Sequence, residues 1–458
     1  MESTRGGVLE IENIAEQLHA ALTSRDSALA RSLVWEIDDD EAEQLFEMMS
    51  EEEVDTLFQL IGNDRFADLL VRLEDQQAAD VLEQFPVDRA ADLLEEIDPD
   101  DAADIFSEID ESVSGEILVA MEPDEAAEMR ELLAWPPDTA GGIMTPAFVA
   151  ISPTLRADQA IAALRKVAEE AETVNYVYVT DPEDHLLGVL SLHKLVLTRP
   201  QTPVGELMYT RPTTVLANAD QEDAAKTLVE NDLLAIPVVD ADNHILGIIT
   251  VDDVAEVLER EATEDIERLG GSAPLTEPYL LASPLHLFRK RVVWLFLLFM
   301  AQFLTVSVIG HYDTLLTQFT ILSFFIPILI GTGGNIGSQT VTTLIRAIGV
   351  GEVGPRHAAL VFWKELRTGI LLGFVMSLLM FGRALMVGNS TTEIAITVGV
   401  AVLAIAIWAA SVASILPLIL FRLKIDPAVV SAPLISSLVD ATGLIIYFSV
   451  ASFMLDIT

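Results

Sequence analysis

The 458-residue chain has no cysteine, which excludes disulfides and thiolate metal centres and suits a reducing compartment. Positive charge is scarce: 26 Lys and Arg stand against 71 Asp and Glu, a net charge of −45. Phosphates would be repelled, so no nucleic acid is expected as a partner, and divalent cations are the natural complement. The opening stretch MESTRGGVLEIENIAEQL lacks a basic region followed by an apolar core, so no cleaved signal peptide is expected. A phosphate-binding glycine loop and a nucleophile–base pair are both missing, which argues against an enzyme. His311 and His357 fall at opposite ends of apolar segments and form no soft-metal pair.

The charge that is present is unevenly spread. Residues 1–275 hold 63 acids and 16 bases, a net of −47, whereas residues 276–458 hold eight acids and ten bases. The first half therefore reads as an acidic soluble protein, and the second as a nearly neutral membrane protein.

Within the acidic half, Ala78-Ala79, Ala90-Ala91, Ala102-Ala103 and Ala126-Ala127 recur at multiples of twelve residues, with Ser114-Gly115 in the remaining slot. An acid follows each pair, and apolar residues follow the acid. Pro86, Pro99 and Pro123 fall between units and suit first-turn positions. Twelve residues make one short helix and a turn, too short to bury a face alone, so the helices should stack into a superhelix. This domain is expected over residues 1–138.

Two similar β/α units follow, at 139–208 and 209–262. In the first, Thr173 to Val179 and Leu187 to Leu190 read as strands around a turn at Asp181 to His185. In the second, Ala235 to Val239 and Ile245 to Ile249 flank a turn at Asp240 to His244. Helices are expected at Ala157 to Ala168 and Gln221 to Asn231. Both units start with a Met and an early Pro, Met144-Thr145-Pro146 and Met208-Tyr209-Thr210-Arg211-Pro212. The arrangement resembles a tandem pair of CBS domains. That resemblance implies a regulatory module open to adenine nucleotides such as ATP, held by a Thr or Ser and an Asp three residues on. Thr250 and Asp253 fit, whereas Ser191 is followed by Lys194. An acidic helix from Glu256 through Glu261, Glu264 and Asp265 then leads to the membrane half, in a linking segment placed at 263–288.

Five apolar segments, at about 292–310, 319–346, 358–382, 394–420 and 428–455, are long enough to cross a bilayer. Arg289, Lys290, Arg291, Arg346, Arg356, Lys364, Arg367, Arg422 and Lys424 cluster on alternate loops. The positive-inside rule then places the N-terminus in the cytoplasm and the C-terminus outside the cell membrane. Asp440 sits within the last segment, where an aspartate costs about 2.5–3.5 kcal/mol to insert and normally faces a path, an ion or a partner. Fourteen residues earlier stands Asp426. On an unbroken helix the two would lie near one face, about 21 Å apart. The second segment carries Gly331-Thr332-Gly333-Gly334-Asn335-Ile336-Gly337-Ser338-Gln339. This stretch suits close helix packing, or a pore lined with hard oxygen ligands.

Taken together, the chain resembles the MgtE family of magnesium channels, through Gly331-Thr332-Gly333-Gly334-Asn335, Asp426-Pro427-Ala428 and Leu438-Val439-Asp440-Ala441-Thr442-Gly443. The resemblance implies a multidomain chain: a cytosolic all-α superhelical N domain, an α/β tandem CBS pair, an acidic connecting helix and a five-helix α transmembrane domain at 289–458. It implies a homodimer with a pore between the second and fifth helices of both subunits, closed by cytosolic Mg²⁺. Asp440 would hold hydrated Mg²⁺ in the pore, with Asp426 at the cytoplasmic mouth; Asn335 is a candidate pore ligand from its own stretch. Regulatory Mg²⁺ would bind Asp100 and Asp104 in the superhelix, and Asp220, Glu222 and Asp232 in the second CBS unit. Asp253, Glu256, Glu261, Glu264 and Asp265 would bind it along the connecting helix. Ala432 departs from the usual Asn before Pro433. Two other readings stay open, an ion-coupled carrier of divalent cations and a membrane-anchored CBS sensor.

Overall fold

The computed structural model describes residues 2–455 apart from 38, 169, 170, 276–278, 280, 281, 389 and 424. Lys424, one of the loop cations, thus lies outside the described residues. The chain forms two compact units, Met1–Glu259 and Arg260–Thr458.

The first unit begins with ten helices: α1 Glu2–Ser24, α2 Ser27–Glu36, α3 Asp39–Met48, α4 Glu51–Ile61, α5 Asn63–Leu70, α6 Asp75–Leu82, α7 Val87–Leu94, α8 Pro99–Glu108, α9 Glu111–Ala120 and α10 Pro123–Leu132. The alanine pairs of α6, α7 and α8 are buried, each beside a buried pair of large apolar residues. Their small side chains let second neighbours approach, and α5 packs on α7, α6 on α8, α7 on α9 and α8 on α10. Helices of eight to ten residues are marginal in isolation, so this stacking stabilises them. Glu83 accepts the backbone N–H of Asp110 at 2.8 Å, and Glu95 that of Glu122 at 2.6 Å, tying successive layers. The Ser114-Gly115 slot is different: Gly115 is exposed, and Ile117 is the buried residue of α9. Pro99 and Pro123 take first-turn positions as expected, while Pro86 caps α7 in an extended conformation instead.

The two β/α units match the expected order. The first holds β1 Ala150–Ile151, α11 Ala157–Val167, β2 Tyr176–Thr180, β3 Leu186–Ser191, α12 Leu192–Leu197 and α13 Val204–Leu207. The second holds β4 Val215–Leu216, α14 Gln221–Glu230, β5 Ala235–Val239 and β6 Ile245–Thr250. In each sheet a short strand pairs parallel to the central one, which pairs antiparallel to the third. The short strands β1 and β4 have no counterpart in the sequence reading, because two residues are too few to show alternation.

Each unit's leading segment belongs to the other unit's sheet. Thr145 and Ile248 exchange backbone hydrogen bonds at 2.8 and 2.9 Å, as do Val189 and Tyr209 at 3.0 and 2.8 Å. Gly247 and Gly188 admit these crossings, since a Cβ at either would lie 2.7 or 2.6 Å from the incoming carbonyl oxygen. The boundary drawn at 208/209 therefore does not separate the two folds. The loops at Asp181 to His185 and Asp240 to His244 meet at the symmetry point, with the imidazoles of His185 and His244 centred 4.3 Å apart.

From β6 the chain passes into α15, Val251–Leu269. This helix begins before and ends within the linking segment expected at 263–288. Gly271, at φ +76°, follows its end.

The second unit contains five helices long and apolar enough to span a membrane: α16 Pro284–His311, α18 Ile326–Gly349, α19 Ala358–Leu385, α20 Thr392–Arg422 and α21 Ala432–Met454. A short α17, Asp313–Gln318, leads into a 3₁₀ turn at Thr320–Phe325 before α18. α20 is central, packing against α18, α19 and α21. Its small residues make this possible: Ala406 and Ala410 face Gly373 and Gly369 of α19. α16 lies outermost and touches α21.

Candidate metal centres and ion path

The α8 N-terminus carries Asp98, Asp100 and Asp101, and the first turn of α15 carries Asp252 and Asp253. The fold of the first unit brings these together with Glu172 from the loop before β2 and Glu256 one turn along α15. Burial raises the carboxyl of Asp100 to about 8, helped by the charges of Asp253, Asp101 and Glu172. Burial likewise raises Asp101 to about 7, with Asp253, Asp98, Glu256 and Asp104 adding repulsion. Glu172 is raised to about 7 and Asp253 is also raised, in both cases by burial first. Asp100 Oδ1 is buried without a hydrogen-bond partner. A desolvated acid of this kind favours neutralisation, by a proton or a cation. Hard oxygen donors without a soft ligand suit a Mg²⁺ ion that keeps its waters, since no three of these described carboxylates come within 4.8 Å of one another.

Asp100, Asp104, Asp253 and Glu256 were legible as candidates. Asp98, Asp101 and Glu172 were not singled out, and Glu172 lies in a loop without a motif. Asp220, Glu222 and Asp232 are not drawn into one centre. Asp220 caps α14 by accepting from the backbone of Glu222 and Asp223, Glu222 pairs with Lys226 at 2.7 Å, and Asp232 follows the far end of the same helix. Among the described residues the compact metal-type group is a different one, Asp181, Glu183 and His185. Its carboxylate Asp181 is already occupied by the backbone N–H groups of Glu183 and His185.

Asp253 also holds the hydroxyl of Thr250 at 2.7 Å and its N–H at 3.1 Å. The Thr250–Asp253 pair is therefore directed into the acid cluster, a poor setting for phosphates. A cavity of about 480 Å³ lies instead beside Ser191 of the first CBS unit, lined by Asn175, Tyr176, His193, Val196 and Leu234 among others.

In the second unit α15 ends against the membrane helices. Arg268 donates to Asp426 at 2.5 Å and also pairs with Glu264. Asp265 Oδ2 lies 3.5 Å from the Cβ position of Gly349, at the C-terminus of α18. Glu261 lies on the same helix, one turn from Asp265. Asp426 does not continue the helix of Asp440. It caps a 3₁₀ turn at Pro427–Val429 by accepting from Ala428 N at 2.7 Å, and α21 starts only at Ala432. The unbroken-helix geometry expected for the two acids is thus corrected, because Pro427 and Pro433 each start a new helical segment.

Asp440 is half-buried on α21, one turn after Ser436. Its carboxylate accepts from Gln302 of α16 at 3.4 Å and approaches Gly334 of α18. Ser338 and Ser436 are hydrogen-bonded at 3.1 Å across the same seam, and Ser338 donates to the carbonyl of Ala432 at 3.4 Å. Ala432 thus still offers a backbone oxygen where its side chain has none. Gly333 and Gly337 are packing glycines, since Cβ atoms there would meet Ile405 and Val439 at 2.8 Å and Ile435 at 2.6 Å. Asn335 lies exposed with Gly331, Gln339, Thr342, Thr343 and Arg346 along one stripe of α18. Gln302 escaped the sequence reading, because an isolated polar residue in an apolar helix carries no spacing signal, and Ser338 and Ser436 were given no role of their own.

Residues 326–450 match the family model of MgtE, a divalent cation transporter. Residues 14–138 match the MgtE intracellular N domain, and residues 140–198 and 204–260 match the CBS domain. The magnesium transporter MgtE of Thermus thermophilus is 40% identical over 336 residues, covering 73% of this chain and 74% of that protein. That of Enterococcus faecalis is 35% identical over 331 residues, 72% of each. A solved structure of the soluble part of a magnesium transporter aligns with TM-score 0.51 and 34% identity, over 55% of this chain and 99% of that one. The cytosolic domain of the Mg²⁺ channel MgtE in complex with ATP aligns with TM-score 0.50 and 32% identity, over 53% and 99%. The chain belongs to the MgtE family of magnesium transporters.

Proposed function

We propose that this transporter is a Mg²⁺ channel for uptake across the cell membrane, closed by cytosolic Mg²⁺. The observation that carries the reading is Asp440, a half-buried carboxylate in a membrane helix, set among Gln302, Ser436 and Gly334 rather than against a cation. Two such carboxylates in a homodimer would place −2 against a hydrated +2 ion, enough to attract it without stripping its waters. The exposed polar stripe of α18 is costly against lipid, which favours a second copy or a water-filled path there. An inside-negative potential adds about 4.6 kcal/mol per 100 mV for a divalent ion, so influx needs no coupled ion.

Closure rests on the acids. When Mg²⁺ is scarce the cluster around Asp100 repels itself, and metal binding favours the compact arrangement. The end of α15, tied to Asp426, is the element through which that arrangement would act on the path. An adenine nucleotide, as bound by the related cytosolic domain, would occupy the cavity beside Ser191 rather than Thr250 and Asp253. Patch recordings with Mg²⁺ varied on the cytosolic face test the proposal. Divalent currents that close as cytosolic Mg²⁺ rises support it, and flux that requires an opposing Na⁺ or H⁺ gradient overturns it.

A further inference from the structure

Residues 1–138 hold 40 acids and only seven bases, yet three of those seven, Arg31, Arg65 and Arg72, line one groove. The groove, about 390 Å³, runs between α2 and α5. Val34, Ile61 and Leu69 form its buried floor, Trp35 stands at its rim, and Asp68 contributes one acid. Among the described residues no carboxylate lies within ion-pair distance of Arg31 or Arg65. Arg31 donates to the carbonyl of Leu60 at 3.3 Å, which fixes its guanidinium group by a neutral acceptor. Arg65 lies 5.3 Å over the ring of Trp35, and that indole is 71% exposed. In a domain so rich in carboxylates, the Arg31 and Arg65 guanidinium groups, held without them, are placed for an outside anion.

We propose that this groove binds a small planar organic anion, a carboxylate carried on an aromatic body. The apolar floor and the Trp35 face would take the ring, and Arg31 and Arg65 the carboxylate, for which the guanidinium fork is shaped. The volume is within the range of small-ligand sites. A polyanion such as an acidic protein is disfavoured by the field of the surrounding carboxylates, whereas a monoanion feels mainly the nearby guanidinium groups once salt screens the rest within about 8 Å.

The test is ¹⁹F NMR of 4-(trifluoromethyl)benzoate added to the full-length chain in detergent, with its neutral amide, 4-(trifluoromethyl)benzamide, as the comparison. Saturable broadening of the carboxylate signal but not the amide signal is expected. Arg65→Gln and Arg31→Gln should each weaken it at least about tenfold, the scale of a lost charge-assisted hydrogen bond. Arg65→Lys should retain part of the binding, because the charge stays while the flat stack is lost. Should a Gln variant fail to fold, Trp35→Ala removes only an exposed ring and should also weaken binding. Equal broadening by the amide, or binding unchanged in the folded Gln and Trp35→Ala variants, overturns the proposal, as does no broadening at millimolar probe.

Discussion

Arg268, in the last turn of α15, and Asp426, the residue that caps the 3₁₀ turn before α21, are joined by a 2.5 Å ion pair. It ties the end of the acidic helix to the segment that carries Asp440. The pair is metal-independent, and it neutralises one of the acids expected to draw cations to the mouth. Both side chains are about one-third exposed, so the bond contributes about 1 kcal/mol or less. We expect Arg268→Gln to raise the Mg²⁺ needed for half-closure, by at most about fivefold at that energy. Recordings from a charge swap, Arg268→Asp with Asp426→Arg, should return toward wild type. A swap no better than either single variant would leave the contact without a role in closure.

Asp440→Asn keeps size and hydrogen bonding and removes one charge per subunit. The Gln302 contact survives in either form, since an amide oxygen also accepts. We expect a folded protein with divalent conduction reduced at least about tenfold, and an intermediate current for Asp440→Glu. Mg²⁺ flux into proteoliposomes at the wild-type rate from Asp440→Asn would make the carboxylate structural.

The glycines of α18 separate into two kinds, and substitution should reveal it. Gly337→Ala places a methyl 2.6 Å from Ile435 in the seam with α21, and overpacking of this sort costs about 1–3 kcal/mol. Gly331 has open space, and alanine there should be neutral or raise stability by up to about 1 kcal/mol through helix propensity. Thermal melts in detergent should rank Gly331→Ala at or above wild type and Gly337→Ala clearly below. The reverse order would contradict the packing described.

The acid cluster makes the soluble half pH-sensitive. Asp100, at about 8, and Asp101 and Glu172, at about 7, bind protons more tightly in the folded unit than their ordinary values of 3.8 and 4.5 allow. Groups raised on folding favour the packed state when protonated. That contribution is complete below about pH 4 and is lost as the pH climbs to 7–8. Without Mg²⁺, α8 should therefore exchange its amide hydrogens faster at pH 8 than at pH 6. Bound Mg²⁺ should abolish the difference and release protons at pH 7, seen as a buffer-dependent calorimetric heat. Asp100→Asn should remove much of the pH dependence. Exchange that slows as pH rises, after correction for the intrinsic rate, would reverse the sign and refute the account.

The amino-acid order alone determined the architecture. A twelve-residue alanine period requires short stacked helices, paired β/α patterns mark the CBS units, and five apolar runs of sufficient length form membrane helices. These are local signals, because burial of one face or satisfaction of the backbone in lipid is decided within a few turns. Asp440 was legible for the same reason, as a carboxylate in an apolar run is costly wherever the rest of the chain lies.

Contacts between distant segments were decided only by the tertiary structure. The crossing of Met144 and Met208 into opposite sheets depends on Gly247 and Gly188 lying under them. The meeting of Asp100 with Asp253 and Glu172 depends on how the segments of the first unit pack, and it sets the Thr250–Asp253 pair beside other carboxylates. Gln302, Ser338 and Ser436 acquire meaning only once α16, α18 and α21 are side by side. Asp426 left the face of Asp440 because two prolines each restarted the helix, and it gained Arg268, 158 residues earlier, as its partner. Period and composition record what each segment must bury; which charges then face one another is set by the packing of those segments.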